Sequence, residues 1–277
     1  MRLGFLAGCA AVSVLAITAP LRGQDRQGQT TWELEGLRSG FCVQLLLNPT
    51  SELLQDLPKG YHPVPASAAT GLHISLRSVI EGQPEFGGWS PSQVCFTTVD
   101  TIRTKGFSLK DGSGRHPQLL VLWTVLATGP SGGPQDVALD LFANSDRLIR
   151  SAREAGQEVH EAKATIGKVP AEDVNGVPST EDRFQVKLGG TTMTWDGHLA
   201  GDSVSASRPV EIRWAASGER GAVVTGALTW RAEYSRAMAG SLTIDGNKAL
   251  AKALRESPTR FAGPAYRGGG GDVVLAH

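Results

Sequence analysis

"DRFQVKLGGTTMTWDG", Asp182 to Gly197, decides the fold. Phe184, Val186 and Leu188 alternate with polar residues, and beyond Gly189-Gly190 the same rhythm resumes at Met193 and Trp195. Successive strand side chains point to opposite faces, so this alternation marks two half-buried strands, and the glycine pair supplies the positive φ of a tight hairpin. The same period recurs on both sides. Upstream, "EVHEAKATI" sets Val159, Ala162 or Lys163, Ala164 and Ile166 among polar residues; downstream, "VEIRW" alternates Val210, Ile212 and Trp214.

Two runs are longer and more apolar. "QLLVLWTVLA" (118–127) and "AVVTGALTWRAEY" (222–234) read as central strands, the second bent or bulged at Gly226. "GPSGGP" (129–134) reads as a hairpin loop between strands. Helical spacing occurs twice. "NSDRLIRSAREAG" opens on a capping Asn144, aligns Leu148, Ile149, Ala152 and Ala155 on one face, and stops at Gly156. "GNKALAKALRESP" begins at Asn247, carries Leu250 and Leu254, and halts at Ser257 before Pro258. "TSELLQDL" can form one short helical turn. About ten strands with two or three short helices describe an α+β fold, mainly antiparallel β, closed as a barrel or folded as a sandwich-like sheet. No linker or internal repeat divides residues 25–267, which read as a single β-rich domain. "YRGGGG" then opens a glycine-rich tail, 268–277, whose "DVVLA" returns as an edge strand or stays mobile.

The first 24 residues read as a secretory signal: Arg2 is a minimal positive region and an apolar core runs through Ala19. "LAGC" resembles a lipoprotein box, but most of the apolar run follows Cys9 instead of preceding it, so an anchor at Cys9 is the less favoured reading. The run ends at Pro20, short of the ~20 apolar residues that span a bilayer, and the mature chain has no integral membrane segment. Export to a periplasmic or extracellular compartment leaves Cys42 and Cys95 as an even pair in oxidising surroundings, which predicts a disulfide between two strand-like runs.

Charge excludes one class of partner. Lys plus Arg and Asp plus Glu both number 27, with no basic stripe, so nucleic acid is not a partner. No histidine or cysteine pair has metal-ligand spacing and no glycine-rich phosphate loop is present, so no metal and no cofactor is implied. "GDSV" (201–204) looks like the nucleophile block of a serine esterase family, yet it falls late and between strands, where a turn containing Asp202 is the plain reading.

Two segments resemble the acetoacetate decarboxylase-like superfamily: "LPKGYHPVPA" (57–66), and "NSDRLIRSAREAGQEVHEAKATIGK" (144–168), where a helix runs into a strand. The resemblance implies a barrel or cone-shaped sheet around a small-molecule cavity. In the decarboxylases a Gly-Arg-Glu stretch leads to a lysine that forms a Schiff base with a keto acid; here Gly156, Glu158 and Val159 match that opening. Phe-Pro is absent, and the lysine pair is reduced to one displaced Lys163. The implied catalytic pair is Lys163 with Glu158. Glu161, two residues from Lys163 on the same strand face, would hold that amine as an ammonium.

The reading that follows is an exported β-rich domain with a small apolar or amphipathic molecule in its interior, lined by the strand tryptophans Trp123, Trp195, Trp214 and Trp230. The alternatives are a lysine-dependent lyase and a structural or partner-binding periplasmic protein.

Overall fold

A computed structural model describes residues 29–69, 74–110, 117–172, 178–218, 221–261 and 264–276. The signal segment, Cys9, His73, His116 and His277 lie outside the described residues.

The strands are β1 (Gln29–Leu47), β2 (His62–Pro63), β3 (Ser90–Arg103), β4 (Ser108–Lys110), β5 (Gln118–Thr128), β6 (Pro134–Ala143), β7 (His160–Glu172) and β8 (Pro178–Leu188). They continue as β9 (Thr191–Ser205), β10 (Val210–Ser217), β11 (Val223–Arg231), β12 (Tyr234–Gly246), β13 (Arg260–Phe261), β14 (Ala265–Arg267) and β15 (Gly270–Ala276). The helices are α1 (Ile74–Gly82), α2 (Asp146–Glu154) and α3 (Ala249–Glu256). All strands join one sheet, antiparallel except where β6 meets β7 and β10. The fold is α+β, mainly antiparallel and sandwich-like.

Four strands, β1, β3, β5 and β6, form a wall shared by two rings. One ring closes through β10, β11 and β15 back to β1. The other closes through β7, β8, β9, β12 and β14 back to β1. The wall is therefore buried on both faces. On β1, Phe41, Val43, Leu45 and Leu47 enter one core, whereas Trp32, Leu34 and Cys42 enter the other. On β5, Leu119, Val121 and Trp123 face the first core and Leu120 and Leu122 the second. "QLLVLWTVLA" is continuously apolar because neither face of that strand meets water.

The ring through β15 is filled. The Trp32 Nε1–H donates to Ser151 Oγ on α2 at 3.2 Å, that of Trp214 to Gln157 Oε1 at 3.3 Å, and that of Trp230 to Thr97 Oγ1 at 3.0 Å. Glycine makes this packing possible: a Cβ on Gly40 would stand 2.8 Å from the Trp230 ring and one on Gly226 would stand 2.1 Å from that of Trp214. Gly226 is thus no bulge, as its pairing with Trp214 and Leu275 is regular; it is flat so that an indole can lie on it. Cys42 and Cys95 stand directly opposite each other on β1 and β3 and are joined by a disulfide on this side of the wall.

The hairpin at Gly189-Gly190 forms as read, with φ of 52° and 95°. Three further expectations are corrected. Asn144 does not cap α2; Ser145 holds that position, while the Asn144 side chain bridges the Leu119 N–H and the Pro117 carbonyl. "GDSV" lies within β9 and is not a connecting turn; Gly201 to Ser203 form a bulge opposite Arg236, with Gly201 at φ 68°. "DVVLA" is neither an edge nor a loose tail, since β15 is hydrogen-bonded to β1 on one side and β11 on the other. Its glycines allow the inner position: a Cβ on Gly271 would lie 1.9 Å from the Thr229 carbonyl oxygen. The sequence reading missed α1, which docks Leu76 against Leu46 and Ala66 in a small satellite core.

Candidate ligand-binding site

The second ring is hollow at both ends. Its middle is closed by an aromatic cluster: Phe41 stacks on Phe96 with centroids 5.0 Å apart, and Phe184 meets both edge-on at 5.6 Å. Above this plug lies a cavity of about 420 Å³. Its apolar wall comes from Phe41 on β1, Ile166 on β7, Phe184 on β8, Trp195 and Leu199 on β9, and Met238 on β12. The hairpin alternation puts Phe184 and Trp195 there, since they are register partners on the inward face of β8 and β9.

The polar part of the lining is almost fully paired. Arg38 binds Asp100, Lys168 reaches Asp182 at 3.5 Å, and Arg183 grips Asp196 with two parallel bonds of 2.6 and 2.7 Å. The Arg183 guanidinium holds the Asp196 carboxyl below the usual carboxylate range. Two donors are exceptions. Arg267 lines the cavity with its Nε–H buried and without a partner among the described residues. Trp195, 6% exposed, has a buried Nε1–H that is likewise unpartnered. Such groups cost roughly 1–3 kcal/mol each when left unsatisfied.

At the opposite end, between β6, the start of β7, the β8–β9 turn and α3, lies a second and more open cavity of about 600 Å³. Trp123, Phe142, Leu188 and Leu250 form its apolar floor. Here the structure places the residues implied by the decarboxylase resemblance. Lys163 is 74% exposed, with its Nζ 3.3 Å from Glu161. Glu158 lies 3.8 Å from His160, whose other carboxylate neighbour is Asp140 at 3.5 Å. Burial pushes the Asp140 carboxyl up to about 6, with His160 opposing that rise. Lys163 and Glu158 therefore stand near one cavity but each faces a different partner.

The four strand tryptophans do not share a cavity. Trp195 lines the first, Trp123 lines the second with its N–H donated to Ser92 Oγ at 2.9 Å, and Trp214 and Trp230 belong to the filled ring. Arg267, Tyr234 and Met238, which complete the first cavity, carried no sequence signal: each reaches it through pairings of β12 and β14 with distant strands. Among the described residues no group of three or more His, Cys, Asp or Glu could hold a metal ion.

No family model matches the chain. No curated protein matches it by sequence. Among solved structures, the enduracididine biosynthesis enzyme MppR with HEPES buffer bound aligns at a TM-score of 0.46 and 11% identity, over 89% of this chain and 86% of that one. The same enzyme complexed with pyruvate aligns at 0.41 and 11%, over 97% and 95%. An acetoacetate decarboxylase-like enzyme from Sphingomonas wittichii RW1 aligns at 0.41 and 9%, over 90% of each chain. The chain thus bears a weak resemblance to the acetoacetate decarboxylase-like fold, and no residue's role rests on it.

Proposed function

We propose that this chain is an exported binding protein that takes a small amphipathic molecule into the cavity bounded by Phe41, Phe184, Trp195 and Met238. The observation that carries the reading is the pairing pattern of its lining. Every other charged side chain there has its opposite, whereas the Arg267 guanidinium has no carboxylate partner among the described residues. An apolar body against the aromatic wall, with a hydrogen-bond acceptor at Arg267, satisfies both parts. The Cys42–Cys95 disulfide is compatible with an oxidising compartment. The lyase reading draws no support from Lys163: an amine so exposed, beside a carboxylate, is not the desolvated nucleophile that Schiff-base chemistry uses.

A matched pair of dyes tests the reading. N-phenyl-1-naphthylamine supplies the apolar body alone; 8-anilinonaphthalene-1-sulfonate adds an anionic acceptor. Both should bind saturably to the full chain, the sulfonate roughly tenfold more tightly, as a charge-assisted hydrogen bond provides. Met238→Trp, which fills the cavity, should abolish both, and Arg267→Gln should remove only the sulfonate's advantage. Binding of both dyes unchanged by Met238→Trp would overturn the proposal.

A further inference from the structure

We infer that the head group taken by the first cavity is a carboxylate held between Arg267 and Tyr234, and that its ligands are straight-chain monocarboxylic acids; the inference rests on the reading of that cavity as a binding site. Strand register carries it. Tyr234 and Arg267 stand directly opposite each other on β12 and β14, so their side chains leave the same face of the sheet, and both line the cavity. The alternation agrees: Tyr266, one residue before Arg267, turns the other way and meets the Trp230 ring with centroids 5.8 Å apart. Among the described residues neither the Arg267 guanidinium nor the Tyr234 hydroxyl has a hydrogen-bond or ion-pair partner. A guanidinium presents paired N–H groups that fit both oxygens of one carboxylate, and the phenol beside it adds a further donor.

The other charges fix the ligand's charge at one. Arg38 with Asp100, Lys168 with Asp182 and Arg183 with Asp196 cancel in pairs. Glu233, whose N–H donates to the Arg267 carbonyl at 3.0 Å, is exposed and lies over Gly268, where a Cβ would stand 2.7 Å from its Oε2; it makes no ion pair with Arg267. One cation is left for one anion. A second carboxylate on the ligand would be pressed against Phe184, Trp195 and Met238, where no cation answers it. The wall sets the class of tail. Beyond Tyr234 on the same face of β12 comes Met238, with Leu199 opposite it on β9, and then Leu242, with Trp195 opposite. Phe184 stands beside Trp195 on β8. This apolar track runs along the strands from the Arg267–Tyr234 pair to the aromatic plug. A volume of about 420 Å³ holds on the order of a dozen non-hydrogen atoms at about 30 Å³ each, which a single alkyl chain of about eight to ten carbons with its carboxylate fills.

Calorimetric titration of the full chain at neutral pH with octanoate, 1-octanol and octanedioate is the test. Octanoate should bind at least tenfold more tightly than either of the others, as a charge-assisted hydrogen bond provides. Arg267→Gln should bring octanoate to the level of octanol, and Tyr234→Phe should reduce its preference over octanol by about threefold or more. Octanol or octanedioate binding as tightly as octanoate, or a preference unchanged in Tyr234→Phe, would overturn the inference. In each of those cases, saturable binding of N-phenyl-1-naphthylamine that Met238→Trp abolishes would leave the cavity a binding site and show that the head-group assignment alone is wrong. Absence of binding by the dyes and the octyl compounds alike would remove the binding reading itself, and this inference with it.

Discussion

The two faces of the β1–β3–β5–β6 wall carry similar residues and end in opposite states. On one face three indoles pack into a filled core whose internal space amounts to about 10 Å³. On the other face the aromatic plug leaves cavities of about 420 and 600 Å³ at its two ends. The difference is not hydrophobicity. On the filled face each tryptophan finds both a backbone glycine flat enough to lie on, or a close neighbour, and an acceptor for its N–H. On the hollow face β6 and β7 touch only at Phe142↔His160 and Ala143↔Glu161, so that ring is held open beside the second cavity, and Trp195 reaches the first cavity without an acceptor. The leftover N–H thus sets Trp195 apart from the three indoles of the filled face.

Truncating an indole on each face tests that comparison most severely. Trp230→Ala removes a fully buried ring and leaves Thr97 Oγ1 without its donor, so a loss of about 5 kcal/mol in urea unfolding is expected. Trp195→Ala breaks no hydrogen bond and extends a space that is already open, so about 2 kcal/mol is expected. Equal costs would mean that the hollow face is as tightly built as the filled one.

The disulfide lies on the filled face and gives a somewhat smaller effect. Cys42 and Cys95 are 53 residues apart, and opening a loop of that length costs about 4 kcal/mol in the chain-entropy model. Replacing both cysteines by alanine should lower stability by that amount while leaving naphthylamine binding on the other face unchanged. A parallel loss of binding in the folded variant would show that the two faces are coupled through β1 and β3.

How much of this was legible in the sequence follows from the same contrast. Alternation exposed the outer strands, because β8, β9 and β10 have one face in a core and one in water. The shared wall was legible as central only through its lack of alternation, and nothing in "QLLVLWTVLA" said that it served two rings. The tail misled because four consecutive glycines signal a loop, whereas only Gly268 and Gly269 turn the chain and Gly270 and Gly271 begin β15, where they allow a strand to be squeezed between two others. The disulfide followed from parity and compartment. Arg267 was silent because its importance is a missing partner, which is a property of three dimensions. Lys163 was prominent by resemblance and is placed at a cavity rim, where its contact with Glu161 is a local one that the strand period foretold.

The smallest predicted effect concerns two aspartates on β6, one for each face. Asp136 sits on the filled face, accepting from Thr124 Oγ1 at 3.1 Å and from Gln93 Nε2 at 3.5 Å. Burial pushes its carboxyl up to about 6, against the hydrogen bond from Thr124. A carboxyl raised in the folded state binds its proton more tightly there than in the unfolded chain. Its contribution to stability is therefore fully present below the ordinary value of 3.8 and is lost as pH rises through about 6. At about 1.4 kcal/mol per pH unit the penalty above that point approaches 3 kcal/mol, and partial solvation reduces it to about 2. Asp136→Asn keeps an acceptor for Thr124 and removes the charge, so it should stabilise the chain by about 2 kcal/mol at pH 7.5 and by almost nothing at pH 4. Asp140, on the hollow face, is raised to a similar value with the opposing pull of His160 already included, so Asp140→Asn should gain no more than Asp136→Asn at pH 7.5 and almost nothing at pH 4. Thermal unfolding of both variants across that pH range decides the matter. A larger gain from Asp140→Asn would mean that the cavity end of β6 is drier than the core behind the wall, and the distinction between the filled and hollow faces would have to be reversed at that strand.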